Sequence, residues 1–301
     1  MPLRESAPLG PPCWIDLFTT DTNAASALTV TSSPGIMPIL QHVGLSGGTT
    51  PAPIGKVNLG SAVIYGSITA PGGLKSLTVG TLDAGFSDST VEIGPFATDP
   101  SQAATIRIGA VSNFSLRSEM PVKSMTVLDW RNTDEIPESL SFTSLGSFTS
   151  KQNLSASLFV SELGRLNSFT VVGILDSAIV QVNGDVGIVT LGGIRNSGFL
   201  VGTTVDEVTA GLNAFAKART ISSFTVKGVA GESYALTDSL IAASNIGTMS
   251  IRSVNPSSFT DANFGVIADT IGRYQRANVK LTKLDGAGTP DITGDYILQL
   301  I

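Results

Sequence analysis

The stretch LNSFTV at 166–171 returns twenty residues later as VGIVTL at 186–191, and the same six-residue phrase runs along much of the chain. Its form is apolar, small or turn residue, Ser-like, apolar, Thr-like, apolar. Towards the N-terminus it reads LGSFTS at 145–150, VKSMTV at 122–127, LKSLTV at 74–79 and IGKVNL at 54–59. Towards the C-terminus it reads VDEVTA at 205–210, ISSFTV at 221–226 and IGTMSI at 246–251. Successive starts differ by 20, 48, 23, 21, 20, 19, 16 and 25 residues. The gap of 48 is close to two ordinary periods and holds weaker copies, AATIRI at 103–108 and VSNFSL at 111–116. Self-similarity near 21 residues marks a stacked repeat, in which each unit buries its apolar face against its neighbours.

The phase of the phrase sharpens this. Let a be its first apolar residue. Positions a+3 and a+5 (Leu77 and Val79, Phe169 and Val171, Phe224 and Val226) share one strand face, because strand side chains alternate with period two. Position a should then point outward, yet it is always Ile, Leu or Val. The alternation must break at a+1, where Gly, Lys, Asn, Ser or Asp stands, and a corner there turns a and a+3 inward together. Strand, corner, strand, rich in β-branched residues and with no helical period, predicts an all-β parallel β-helix, or β-solenoid. Each coil takes about 20–25 residues, and both ends need atypical caps. An antiparallel sandwich or propeller would need hairpin turns such as Asn-Gly far more often than they occur. With strands stacked at ~4.8 Å, 10–12 coils would make a rod roughly 50–55 Å long. Leu77, Met125, Phe148, Phe169, Val189, Phe224 and Met249 would align in one inner column.

A second phrase, Asp or Asn followed by Ser, lies between copies of the first: Asp88-Ser89, Asp176-Ser177, Asn196-Ser197 and Asp238-Ser239. Such side chains bond nearby backbone amides and favour turns, so each period carries at least two strands entered through turns. The chain divides into a Pro-rich lead-in or cap at 1–50, a repetitive solenoid at 51–254, and final coils with a C-terminal cap at 255–301. ALTV at 27–30 and PILQHV at 38–43 are candidate strands at the start of the stack, and 94–102 and 129–138 read as insertions.

Composition narrows the function classes. Of 301 residues, 42% are hydrophobic and only 14% charged, which is too apolar for a disordered chain. The net charge is −6 and no basic stripe exists, which argues against nucleic acid as a partner. Cys13 is alone, so neither an intrachain disulfide nor a cysteine metal cage is expected. The longest apolar runs are strand-sized, so no transmembrane helix is expected. The opening MPLRESAPLGPPCW has no continuous apolar core and does not read as a signal peptide. Either the chain is cytoplasmic or it is a piece of something longer.

No set of residues stands out as catalytic, cofactor-binding or metal-ligating, and no cofactor is called for. Polysaccharide-cleaving β-helices combine an Asn-Thr-Asp segment with an Asp-Asp pair, a Gly-His-Gly segment and an Arg-x-Lys. Only Asn132-Thr133-Asp134 is present, and without its partners it carries little. Asp129, Trp130, Arg131, Asp134, Glu135 and Glu138 are the densest polar group with an indole, read first as a solvated loop and second as a sugar subsite. His42, the only histidine, would have to serve any Ser/His/Asp triad, yet it lies in an apolar segment. Asp285, Asp291 and Asp295 lie in a turn-rich stretch that matches no calcium loop. GLSGGTTPAPIGK at 44–56 lacks the order of a phosphate-binding loop.

The outward positions a+2 and a+4 give a sharper expectation. They read Ser76/Thr78, Ser124/Thr126, Ser147/Thr149, Ser168/Thr170, Ser223/Thr225 and Thr248/Ser250, interrupted by Lys56, Asn58, Ile188 and Glu207. Stacking would align them into two hydroxyl columns on a flat face, fit to meet ice, glycans or a mineral surface. The plainer explanation is that Ser and Thr suit exposed strands.

The IGxΦTV phrases (Φ apolar), the Asp/Asn-Ser turns, VKSMTVLDW followed by LGSFTS, and NFGVIADTIGRY at 263–274 together resemble a family of β-solenoid repeat regions in large exported or surface-attached bacterial proteins. The resemblance covers about residues 54–275. It implies a right-handed parallel β-helix, an extracellular or cell-envelope location and no catalytic motif. The expected function is a non-enzymatic structural or adhesive module, part of a longer multidomain chain, with glycans or other cell-surface components as partners. The alternatives are a carbohydrate-active or carbohydrate-binding β-helix and an ice- or surface-binding Ser/Thr array.

Overall fold

The computed structural model describes residues 15–19, 23–31, 37–45, 52–85, 89–96, 99–134, 136–161, 164–211, 214–257 and 264–301. The chain is nearly all β, 63% strand and 2% helix, in one long, mostly parallel sheet. Strands pair in parallel with strands one coil further on, so the sheet climbs along a solenoid. Cys13, Asp88, Glu135 and most of the lead-in prolines lie outside the described residues.

One coil shows how the sequence builds the stack. In the strand Leu166–Asp176, Leu166, Phe169 and Val171 are fully buried, whereas Asn167, Ser168 and Thr170 are exposed or half-buried. Its register with the next coil runs Leu166 to Val186, then Ser168 to Ile188, skipping position a+1. The corner inferred from the phrase is therefore present, and it sits tight against the coil below. A Cβ on Gly187 would come within 2.2 Å of the Asn167 carbonyl oxygen. After Val171 the register shifts again, and Leu175 points inward on a short second face. Ser177, at φ +52°, turns the chain onto a third face, Ile179–Val182, where Val180 and Val182 are buried. Val186 then begins the next coil.

Each coil thus has three sides. Among the described residues the first face holds eleven parallel strands, from Ala27–Thr29 to Thr270–Arg276. The third holds twelve, from Ile15–Thr19 to Tyr296–Leu300. Register partners from Leu28 to Tyr274 are spaced by 29, 20, 29, 19, 23, 21, 20, 35, 25 and 25 residues. The extra residues leave at corners, so coil length varies while the register on each face is kept.

Three sequence expectations need correction. VDEVTA is not a coil: Val205–Thr209 is a short helix in the longest insertion. Thr204 and Glu207 close a capping box, each side chain bonding the other's backbone N–H, and this fixes helix over strand. VSNFSL is not a weaker copy either, since Val111 lies on the second face and Phe114 on the third. One of the Asp/Asn-Ser phrases, Asp176-Ser177, is offset by one residue from Asn196-Ser197 and Asp238-Ser239. The left-handed residues at this corner are Asn113, Ser177, Asn196 and Asp238, so Ser177, and not Asp176, matches Asn196. Behind two of them runs a serine ladder. The Ala178 N–H donates to Ser197 Oγ at 3.1 Å and the Ser197 N–H to Ser239 Oγ at 3.2 Å.

The core is one continuous hydrocarbon column. Met125, Phe148, Phe169, Val189, Phe224 and Met249 are successive register partners, all buried. Phe148 and Phe169 stack with centroids 5.1 Å apart, close to the ~4.8 Å rise between coils. Where the column carries the smaller Val189, Phe199 enters from the third face and meets Phe169 and Phe224 edge-on at 5.5 and 5.2 Å. The stack continues past Asn255 through Thr270–Arg276 and is then closed by antiparallel strands. Val279–Asp285 folds back on Thr270–Arg276, and Gly288–Thr293 pairs with Tyr296–Leu300. These edges carry Lys280, Lys283 and Pro290, residues that discourage further strand pairing. Among the described residues no helix is long and apolar enough to cross a membrane.

Candidate functional site

The outer side of the first face follows directly from the buried phase. With a, a+3 and a+5 inside, the side chains at a+2 and a+4 stand between them on a pleated surface. At a+4, Thr126, Thr149, Thr170, Thr190, Thr225 and Ser250 are successive register partners, giving six hydroxyls in one unbroken column. All are half-buried. Parallel to it at a+2 run Ser147, Ser168, Ile188, Ser223 and Thr248. Ile188 interrupts this second column and is 57% exposed. Glu207 does not interrupt either one, because it belongs to the helix cap. Arg107 separates Thr78 from Thr126, and Arg273 and Gln275 end the columns. Ser147 and Thr248 donate to backbone carbonyls of the coil before, Lys123 O at 3.5 Å and Ser222 O at 3.4 Å. The a+2 column is thus tied in part to the scaffold, whereas the a+4 side chains stand half-buried on the outer face.

The polar group around residue 130 resolves as structure. Trp130 is fully buried and its indole N–H donates to Phe114 O at 3.2 Å, so it offers no platform for a sugar ring. Asp129 is 4% exposed; it accepts from the Asn153 N–H at 3.0 Å and is bonded by Arg131. Asp134 caps its own turn by accepting from the Ile136 N–H at 3.1 Å, and the buried Glu138 lies 3.5 Å from the Ser115 hydroxyl. Asp129 thus holds the corner between the first and second faces, and Asp134 and Glu138 the corner between the second and third. His42 is exposed and its Nδ1 accepts from the Ser67 N–H at 3.3 Å, again a corner role.

The three C-terminal aspartates do not gather around one point. Asp291, 7% exposed, makes two bonds with Arg276, both 2.7 Å, and accepts from the Tyr274 hydroxyl at 2.7 Å. The Tyr274 and Tyr296 hydroxyls are 2.8 Å apart, and Arg276 also donates to Thr293. Burial opposes ionisation of Asp291, but the bonds from Arg276 and Tyr274 outweigh it and hold the carboxyl below its ordinary value. The same desolvation raises both tyrosine hydroxyls, and the Asp291 bond raises Arg276. No group of three or more His, Cys, Asp or Glu side chains fit to hold a metal is found among the described residues.

The sequence reading missed one concave feature. A cleft of about 280 Å³ opens on the third face, lined by Thr69, Pro71, Glu92, Pro95, Arg117 and Glu119 among others. Comparison of the chain with protein-family models, curated proteins and solved structures finds no match.

Proposed function

We propose that the chain is a right-handed parallel β-helix serving as a non-enzymatic structural or adhesive module of an exported or cell-surface bacterial protein. Right-handed coiling is the hand that twisted parallel strands adopt in about 98% of crossovers. The observation that carries the functional reading is the unbroken a+4 column, Thr126 to Ser250, on the outer side of the first face. Such a face meets an extended, hydroxyl-rich surface by many weak bonds, each worth about 0.5–1.5 kcal/mol net and summed along the rod. Glycans of a cell surface are the proposed partners, and the exported location and longer multidomain context rest on the family resemblance. The regular ~4.8 Å rungs also favour a second reading, contact with an ice or mineral lattice.

The test joins activity and binding. Purified protein incubated with acidic and neutral polysaccharides is expected to release no reducing ends and no unsaturated products. The triple variant Thr126→Lys, Thr149→Lys, Thr170→Lys is expected to keep its circular dichroism spectrum and to lose at least about tenfold in binding to cells or glycans, since three bonds of ~1 kcal/mol are removed. Unchanged binding would leave the column a structural role only, and loss of thermal hysteresis alone would favour the ice reading. Product release abolished by Asp129→Ala or Asp134→Ala would make the protein a carbohydrate-active enzyme instead.

A further inference from the structure

The third-face cleft is built by stacking. Thr69, Glu92 and Arg117 are register partners on three successive coils, so their outward side chains stand about 4.8 Å apart in a row. The backbone turns beside them are locked one on another. The Gly94 N–H donates to Ala70 O at 2.9 Å and the Glu119 N–H to Ile93 O at 2.8 Å. A Cβ at Gly94 would lie 2.1 Å from Pro71 O, so only glycine lets these two turns close up. Pro71 and Pro95, both exposed, bring rigid hydrocarbon rings to the cleft. Its volume of about 280 Å³ falls just below the ~300 Å³ at which small-molecule sites begin, which sets its capacity at one ring.

The charges are unequally matched. Arg117 turns to Glu119 at 2.9 Å, leaving Glu92 exposed with no ion pair among the described residues. The lining therefore carries one carboxylate in excess, beside a guanidinium–carboxylate pair, a threonine hydroxyl and two proline rings. A compact ring with an apolar C–H face, several hydroxyls and an ammonium group complements all four features. A uronic acid would bring its carboxylate against Glu92.

We infer that this cleft binds a single amino-sugar residue, its ammonium on Glu92 and its ring against Pro71 and Pro95. The site lies on a different face from the hydroxyl columns, so it stands or falls separately from the adhesive reading. The test is saturation-transfer NMR on the full chain with glucosamine, glucose, glucuronate and Nα-acetyl-lysine amide. Glucosamine is expected to bind most tightly, glucose more weakly and glucuronate not at all. Glu92→Gln is expected to weaken glucosamine by about tenfold, the loss of one charge-assisted bond, with an unchanged thermal midpoint. The triple lysine variant of the first face should bind it as the parent does. Glucuronate binding as well as glucosamine, or glucosamine affinity untouched by Glu92→Gln, would overturn the assignment. So would acetyl-lysine amide binding equally tightly, which would reduce the cleft to a general ammonium site, or loss of the sugar in the triple variant.

Discussion

Phe169 and Thr170 are adjacent in sequence and opposite in fate. Phe169 is fully buried between Phe148 and Phe199, whereas Thr170 stands half-buried in the outer column. Truncating a buried Phe typically costs about 3–5 kcal/mol, and an unpaired buried carboxylate adds to that. Phe169→Asp is therefore expected to destabilise by more than about 4 kcal/mol, or to prevent folding. Thr170→Asp is expected to cost less than about 1 kcal/mol, as surface changes do. Urea melts of the two variants measure the contrast, and equal midpoints would contradict the assigned phase. This phase was legible in the sequence because the phrase repeats it with apolar residues at a, a+3 and a+5. The inward turn of Trp130 was not, since the second face has too few residues per coil to show a period.

At the scale of elements, the caps differ most from the repeat. The C-terminal closure buries Tyr274, Asp291 and Tyr296 beneath the last coil, where Tyr274 occupies the column position held by Met249 one coil earlier. The folded state lowers the Asp291 carboxyl relative to the ordinary 3.8. Its stabilising contribution is therefore fully present above that value and is lost as pH falls through the folded value. Thermal melts between pH 7 and pH 2 are expected to show the cap loosening below about pH 4, read by tyrosine fluorescence or amide exchange in Val279–Asp285. Asp291→Asn should be less stable at pH 7 and should flatten this acid dependence. An unaltered acid profile in that variant would assign the transition to other carboxylates. The helix Val205–Thr209 shows what the sequence held but the repeat obscured. Thr204-x-x-Glu207 is a capping box, yet VDEVTA also fits the six-residue phrase, so the two signals compete over the same residues. The Asp/Asn-Ser phrase marks where several third-face strands begin but fixes nothing about their outward residues. Glu92, Arg117 and Glu119 therefore gave no sign of sharing a cleft with Pro71 until the register was known.

At the scale of the whole molecule, distance along the rod counts coils and not residues. Thr190 and Thr225 are 35 residues apart in sequence yet are register partners, as are Thr149 and Thr170, which are 21 apart. Every functional statement about the first face depends on that rule, because it makes the hydroxyls a column with even rungs. It is open to direct measurement with paired spin labels on a Cys13→Ser background. Labels at 126 and 250 are five rungs apart, and labels at 78 and 250 are seven, so backbone separations of ~24 Å and ~34 Å are expected at ~4.8 Å per rung. Pulsed dipolar spectroscopy on the two pairs should return distributions whose centres differ by about 10 Å, the length of two rungs. Equal distances, or a second pair no longer than the first, would contradict the stacked register and with it the hydroxyl column.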